Sequence, residues 1–153
     1  MHGKVISAPL GWSDTVVFRP VVNIPVGQLV ELVQQAWESA CGYWIDELGE
    51  ASNKRRKFAD SGDPDFAYTY EFTVADPDEQ VKDGVKSWTV NIATVRAGIE
   101  RIVATGGGVR SDLVAQVALA LAQQGSSDPV WDIDDDACDV IVQVGLFGEV
   151  IFG

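Results

Sequence analysis

The sequence predicts an α+β fold in which a small antiparallel sheet packs against three or four helices. This prediction depends on one long segment with helical spacing of apolar residues, one strand with strict two-residue alternation, and shorter apolar stripes towards the C-terminus. The length of 153 residues fits a single domain spanning positions 1–153. A chain of this size buries roughly 70% of its unfolded surface, so it needs no disulfide or metal to fold.

The N-terminal segment, residues 4–24, favours extended structure because it is rich in β-branched and aromatic residues around 16–24. Pro9, Pro20 and Pro25 interrupt it. Because proline cannot donate a backbone hydrogen bond, we expect any strand near 16–24 to be short or at a sheet edge.

Residues 27–48 give the clearest helix, the expected spine of the fold. Gly49 is placed to end it. Trp37 and Trp44 lie seven positions apart on the apolar face, so we interpret them as core anchors and not as a platform for a ligand. The apolar face comprises Leu29, Val33, Ala36, Trp37, Ala40, Trp44 and Leu48.

The only basic cluster is formed by Lys54, Arg55, Arg56 and Lys57. Such a run can bind phosphate or act as a localisation signal. In a chain this acidic we interpret it as a solvated loop or an internal counter-charge.

Residues 60–93 predict a β-hairpin, with strands at about 66–74 and 86–92. The first strand alternates Phe66, Tyr68, Tyr70, Phe72 and Val74 with smaller or polar residues. Asp76-Pro77-Asp78 predicts the turn. The return strand is expected within 85–93, and the aromatic face of the sheet should pack against the long helix.

Three helices should follow the hairpin. Thr94 is the expected N-cap of the first, and the triple glycine at 106–108 ends it as a flexible connector. No Lys-Ser/Thr pair follows those glycines, so they do not form a phosphate loop. Ser111 and Asp112 open the second helix, which Gly125 ends.

The third helix is predicted at 135–146, with acidic residues at the end where the helix dipole favours them. Gly148 should break it. The apolar residues at 150–152 are then expected to tuck into the core, with an added strand as one arrangement.

The charge balance is the strongest functional indication. The chain has 23 acidic and 11 basic side chains and a formal charge of -12. This charge repels nucleic acid and anionic lipid and attracts basic protein surfaces. No signal peptide and no apolar run of the ~20 residues that span a bilayer are visible, so the expected location is the bacterial cytoplasm.

The residue types that most enzymes need are scarce. His2 is the single histidine, so a Ser-His-Asp or Cys-His site and an ordinary zinc site are not expected, and no cofactor is predicted. Cys41 lies in the apolar helix, where we expect a small buried side chain. Cys138 follows an acidic run that should raise its pKa. Whether the two cysteines pair is left open by their spacing.

A metal site is conceivable at Asp132-x-Asp134-x-Asp136, because alternating carboxylates begin a calcium loop. The remainder of the loop does not fit, since Ala137 stands where glycine is needed and Gln143 where glutamate is needed. We therefore interpret these residues as a helix N-terminus within an acidic patch, with no metal.

The C-terminal residues Ala137 to Gly153 read Ala-Cys-Asp-Val-Ile-Val-Gln-Val-Gly-Leu-Phe-Gly-Glu-Val-Ile-Phe-Gly. This ending resembles small bacteriophage and prophage proteins that end in Ala-Asp, an aliphatic-Gln pair, Leu-Phe-Gly-Glu and an aromatic-Gly terminus. The early helix around Ala40, Tyr43 and Trp44 is also similar. Cys138, inserted before Asp139, and Phe152, where tyrosine is common, depart from the pattern. The resemblance implies an origin on a mobile element and transfers no activity.

The leading hypothesis is a non-enzymatic phage protein that inhibits a host nucleic-acid-binding defence protein, of the anti-CRISPR or anti-restriction type. A carboxylate-rich surface can imitate the phosphates of a duplex and occupy a basic channel. The partner would be a basic host protein, without direct contact to nucleic acid or membrane. The expected partner-binding patch comprises Asp128, Asp132, Asp134, Asp135, Asp136 and Asp139.

Three alternatives stay open. The acidity can serve solubility alone. The chain can be a small enzyme that uses a carboxylate pair on a nucleotide or small molecule. It can also be a structural phage protein that forms a homodimer through exposed aromatic residues of the hairpin.

Overall fold

The computed structural model describes residues 23–49, 55–59, 68–125 and 131–153, and for 55–59 and 68–70 it describes the backbone alone. It confirms the α+β fold, with helices packed against an antiparallel sheet. Residues 23–25 form no strand. The remainder of the strand expected near 16–24 lies outside the described residues.

The predicted spine is confirmed, and it contains a π turn that the sequence analysis did not predict. Helix α1 (Val26–Gln35) continues into a π-helical segment (Ala36–Ala40) and then into α2 (Gly42–Leu48). The Cys41 N–H donates to the Ala36 carbonyl over 3.1 Å, the five-residue step of a π turn. Trp44 is completely buried, while Trp37 is half-buried and meets the Phe72 ring edge-on.

The hairpin is confirmed and carries a third strand. Strands β1 (Arg55–Ala59), β2 (Tyr68–Ala75) and β3 (Ser87–Asn91) pair antiparallel in the order β1-β2-β3. Strand β1 contains most of the basic cluster, so its interpretation as a loop was wrong for 55–57. The backbone of β1 is held by hydrogen bonds to β2, a tertiary interaction that outweighs the weak strand propensity of the run.

The β2–β3 connection turns at the expected place. The buried carboxylate of Asp76 accepts hydrogen bonds from the backbone N–H groups of Gln80 and Val81, over 3.0 and 3.2 Å. The Asp76 N–H donates to the Lys86 carbonyl across the base of the loop. This side chain therefore organises the connection between the two strands.

Helix α3 (Ile92–Thr105) begins three residues earlier than expected. Its N-cap is Asn91, which accepts from the Thr94 N–H, while the Thr94 hydroxyl accepts from the Asn91 N–H. The prediction of Thr94 as N-cap was therefore wrong. Thr94 is the third helical residue of a reciprocal capping box. Gly106 ends the helix in the left-handed conformation, as expected.

Helices α4 (Ser111–Ala122) and α5 (Asp135–Phe147) also lie where they were predicted. Helix α5 crosses α3 at two glycines. A Cβ on Gly98 would overlap the Ile141 carbonyl oxygen, and one on Gly145 would overlap that of Thr94. The two backbones therefore touch directly at this crossing, and α5 becomes the buried centre of the fold. No helix in the described part of the chain is both long and apolar enough to cross a bilayer.

Candidate functional site

The start of α5 carries an acidic cluster, defined here as Asp132, Asp134, Asp135 and Asp136. All of its side chains are exposed. The cluster accounts for four of the residues predicted to bind a partner. Asp128 lies outside the described residues.

Two members of the cluster have structural partners. The Asp134 carboxylate caps α5 by accepting from the Ala137 N–H over 2.9 Å, which agrees with the helix-cap interpretation. The Asp135 carboxylate accepts from the Gln35 amide and the Ser39 hydroxyl, each over 2.9 Å. These bonds hold the cluster against the spine helix. The carboxylates of Asp132 and Asp136 accept no hydrogen bond from any described residue, so they are free to meet a partner.

The adjoining face of the spine helix adds to the negative charge. Glu31 lies one turn before Gln35, and Glu38 lies three residues after it, so both are neighbours of the contact with Asp135. Both glutamates are exposed. The acidic surface therefore extends from α5 across to α1 and the π segment.

No metal centre forms within the described residues. No group of three or more histidine, cysteine, aspartate or glutamate side chains gathers there in a way that could hold an ion. In the Asp132-x-Asp134-x-Asp136 sequence, one oxygen of Asp134 is already occupied by the helix cap.

Asp139 was expected in the exposed patch, and the structure places it instead in the protein interior, 8% exposed. One carboxylate oxygen accepts from the Trp44 indole N–H over 2.8 Å and from the Gln143 amide over 3.0 Å. The other accepts from the Tyr43 hydroxyl over 2.6 Å. Asp139 faces the core because it lies one turn before the buried Gln143, on the inner side of α5.

Gln143 links this network to the C-terminal tail, residues 148–153. Its side-chain oxygen accepts from the backbone N–H groups of Ile151 and Phe152, over 2.9 and 2.8 Å. Its amide donates to the Phe152 carbonyl over 3.0 Å, and the Phe152 ring stacks on Trp44 at 5.3 Å. Val150 and Phe152 pack against the core as expected, whereas Ile151 is exposed, so the prediction was wrong for this residue. The tail forms no strand.

A groove of about 590 Å³ lies between the π segment, the start of α4, the first turns of α5 and the tail. This volume falls in the range of small ligand sites. Apolar side chains from the three helical segments and the tail form part of its wall: Ala40, Leu113, Val140 and Val150. Its polar lining comprises Ser39, Tyr43, Arg110, Asp135, Asp136 and Asp139.

Among the described residues, the one cation that lines the groove is already paired. Arg110 contacts both oxygens of Asp112 through two nitrogens, each over 3.0 Å. The hydrogen bond to Asp112, and more weakly the charges of Asp136 and Asp134, raise the pKa of Arg110. The same ion pair lowers the pKa of Asp112. The groove therefore keeps a surplus of negative charge.

One tyrosine and two cysteines near the network have raised pKa values. Burial, and then the hydrogen bond to Asp139, raise the pKa of Tyr43 above its ordinary value. Burial is also the main cause that raises the pKa of the Cys41 and Cys138 thiols. Both cysteines are buried and unpaired. Neither thiol is therefore suited to act as a nucleophile at neutral pH.

The two buried acids that the structure describes, Asp76 and Asp139, serve separate networks. Asp76 holds the β2–β3 connection, while Asp139 joins α5 to the spine helix. Each is held by its own hydrogen-bond donors, so they do not form a catalytic carboxylate pair with each other.

The sequence analysis missed Tyr43, Gln143 and Arg110 as parts of the site. One signal was available for Gln143, because it follows Asp139 by four residues and so lies on the same helix face. The blocks that carry the phage resemblance, around 40–44 and 137–153, meet at this network.

Comparison of the chain with protein-family models, with curated proteins and with solved structures found no match.

Proposed function

We propose that this protein is a non-enzymatic acidic interaction protein that binds a basic surface of a nucleic-acid-binding host protein. The observation that carries the proposal is the acidic cluster: four exposed aspartates within five consecutive positions, with Glu31 and Glu38 beside them. An opposite charge on the partner would steer association and give specificity. The partner class is a host defence protein with a basic nucleic-acid channel, in keeping with the phage resemblance.

The rigidity of the cluster supports this proposal. Asp134 is fixed by the cap of α5 and Asp135 by Gln35 and Ser39, so the backbone that carries the free carboxylates is held in place. A preorganised charged surface loses little conformational entropy when a partner binds. Acidity that serves solubility alone does not need such an arrangement.

The testing variant is Asp132→Lys/Asp136→Lys. These two carboxylates accept no hydrogen bond from any described residue, whereas reversing Asp134 or Asp135 would also disturb α5. An exposed ion pair contributes about 0.2–1 kcal/mol, and reversal replaces attraction with repulsion of similar size. Two reversals should therefore weaken binding by about 0.8–4 kcal/mol, which is at least about fourfold.

The matched control is Asp78→Lys/Asp83→Lys, which makes the same change of charge in the β2–β3 connection, where both side chains are exposed. That connection lies towards the other end of α5, because the Phe147 ring contacts Trp88 at 4.8 Å. Helix α5 has 13 residues and is about 20 Å long.

The experiment captures host proteins with the wild-type protein and both variants, and adds duplex DNA or RNA as a competitor. The proposal predicts that the wild type and the control variant capture nucleic-acid-binding proteins and that the cluster variant does not. Added duplex DNA or RNA should release the captured proteins. Equal capture by the cluster variant, or no release by either nucleic acid, would contradict it.

The hypotheses of a small enzyme and of a structural homodimer stay predictions. Of the hairpin aromatics whose side chains the structure describes, Phe72 is buried and Trp88 is half-buried. Sedimentation at micromolar concentration tests the homodimer, and a clean monomer rejects an obligate one.

A further inference from the structure

The groove beside the acidic cluster combines an apolar wall with carboxylates at its edge. Leu113 and Val140 supply apolar wall, and Asp136 supplies an exposed carboxylate at its edge. Tyr43, 47% exposed, adds an aromatic ring. A long side chain with an apolar stem and a charged head matches such a surface.

Asp139 supplies a second, independent indication. It lines the groove and it is buried. The groups of the described residues that hydrogen-bond it are all neutral: those of Tyr43, Trp44 and Gln143 and the Cys41 thiol. No cationic side chain among the described residues contacts it. A buried carboxylate without a cation is costly.

We propose that the groove binds an arginine side chain of the basic partner, with its stem against Leu113 and Val140 and its guanidinium facing Asp136 and Asp139. Guanidinium is weakly hydrated, stacks on aromatic rings and donates in a planar fork, so it suits a partly buried site with carboxylates and a tyrosine. The ammonium of lysine is more strongly hydrated and fits less well.

Arg110 does not occupy this position itself. Its guanidinium is engaged by both oxygens of Asp112 and is exposed. Asp112 lies outside the groove lining, so this ion pair leaves Asp136 and Asp139 without a hydrogen-bonded cation among the described residues.

The inference rests on the proposed function, because it names how the acidic surface recognises its partner. It can nevertheless fail alone. If partner capture depends on the acidic cluster while the arginine probe does not bind, the proposed function stands and the arginine site is rejected. If the arginine probe binds while partner capture is independent of the acidic cluster, the proposed function is rejected and the arginine site stands.

The probes are three capped pentapeptides, Gly-Gly-Xaa-Gly-Gly, in which Xaa is arginine, citrulline or lysine. Citrulline has nearly the shape of arginine and lacks its charge. Binding is followed through the backbone amide signals of isotope-labelled protein by NMR. We expect the arginine peptide to shift the amides of Ser39, Gly108 and Gly153 saturably, and the citrulline peptide to bind at least about tenfold more weakly.

The variant Asp136→Asn tests the site without disturbing the core, because this side chain is exposed and outside the cap. It should weaken arginine-peptide binding at least about threefold, whereas the control Asp78→Asn should leave it unchanged. A lysine peptide that binds as tightly as arginine overturns the assignment. So do shifts that spread over the acidic cluster without saturation, or no shifts at all.

Discussion

Replacing Gln143 with leucine should detach the C-terminal tail from the core. Gln143 is completely buried, and its amide is the only side-chain group in the described residues that hydrogen-bonds the backbone of Ile151 and Phe152. Leucine has a similar volume and can neither donate nor accept. The variant therefore removes these bonds and leaves the α5 backbone intact.

The magnitude follows from the bonds lost. Three bonds to the tail backbone contribute ~1 kcal/mol each, and the bond to the Asp139 carboxylate contributes ~1.5–3 kcal/mol. Loss of the stack between Phe152 and Trp44 adds ~0.5–1.5 kcal/mol, while the buried leucine recovers ~1–2 kcal/mol. We expect the free energy of unfolding to fall by about 3–6.5 kcal/mol.

Two measurements check this expectation. Denaturant unfolding followed by circular dichroism gives the change in stability, and amide hydrogen exchange reports the tail directly. The amides of Ile151 and Phe152 should lose protection by roughly 30-fold or more, the factor that corresponds to ~2 kcal/mol. Gln116→Leu is the control, because Gln116 makes one exposed hydrogen bond, to the Asp132 carbonyl. It should change stability by less than ~1 kcal/mol.

A loss of less than ~1 kcal/mol for Gln143→Leu, with both tail amides still protected, would refute the role given to Gln143. Equal losses in the two glutamine variants would also refute it, because the burial and the number of bonds would then not matter.

Three further predictions concern packing and titration. Gly98→Ala should destabilise the fold by at least ~1–3 kcal/mol, because the new Cβ meets the α5 backbone. The control Gly42→Ala, with nothing within 4 Å of its Cβ, should be neutral or stabilising. Equal denaturation midpoints for the two variants would contradict this prediction. The raised pKa of Tyr43 means that the unfolded chain releases the Tyr43 hydroxyl proton at a lower pH than the folded protein does. The contribution of Tyr43 to stability is therefore complete below pH 10.0, the ordinary tyrosine pKa, and is lost as the pH rises towards the folded pKa. Tyr43→Phe should flatten the alkaline limb of the stability profile, and an unchanged limb would refute the assignment. Cys41 and Cys138 should react with an alkylating reagent at neutral pH only as fast as the protein opens, with denaturant accelerating both; rapid labelling of either thiol in the native protein would contradict the buried environment.

Much of the fold could be predicted because its signals are local. The alternation from 66 to 74 indicated a strand, and the apolar spacing of 27–48 indicated the spine helix. Glycines marked the ends of α3 and α5, where left-handed backbone is needed. Each of these features depends on residues close together in the chain.

The π turn had a signal that the sequence analysis did not use. The apolar face runs through Ala36, Ala40, Trp44 and Leu48 in steps of four residues. An α-helix turns in 3.6 residues, so repeated steps of four drift around its axis. One π turn takes in the extra residue and keeps the face directed at the core.

The remainder could not be predicted from local sequence. Asp139 follows a run of exposed aspartates, and the partners that bury it, Tyr43 and Trp44, lie 96 and 95 residues away. Strand β1 likewise depends on pairing with β2, and its basic composition alone does not predict a strand. Both errors arise because tertiary contacts decide where a charged residue lies.

The most direct test of the account is the dissociation constant of a captured partner, measured against salt concentration for three proteins. The Debye length falls from about 10 Å at 0.1 M salt to about 3 Å at 1 M, so added salt screens an exposed charge contact. We predict a steep loss of affinity with salt for the wild type and Asp78→Lys/Asp83→Lys. Asp132→Lys/Asp136→Lys should bind at least about fourfold more weakly at low salt, with a shallower salt dependence. Three coincident curves, or an affinity independent of salt, would contradict recognition through the acidic cluster.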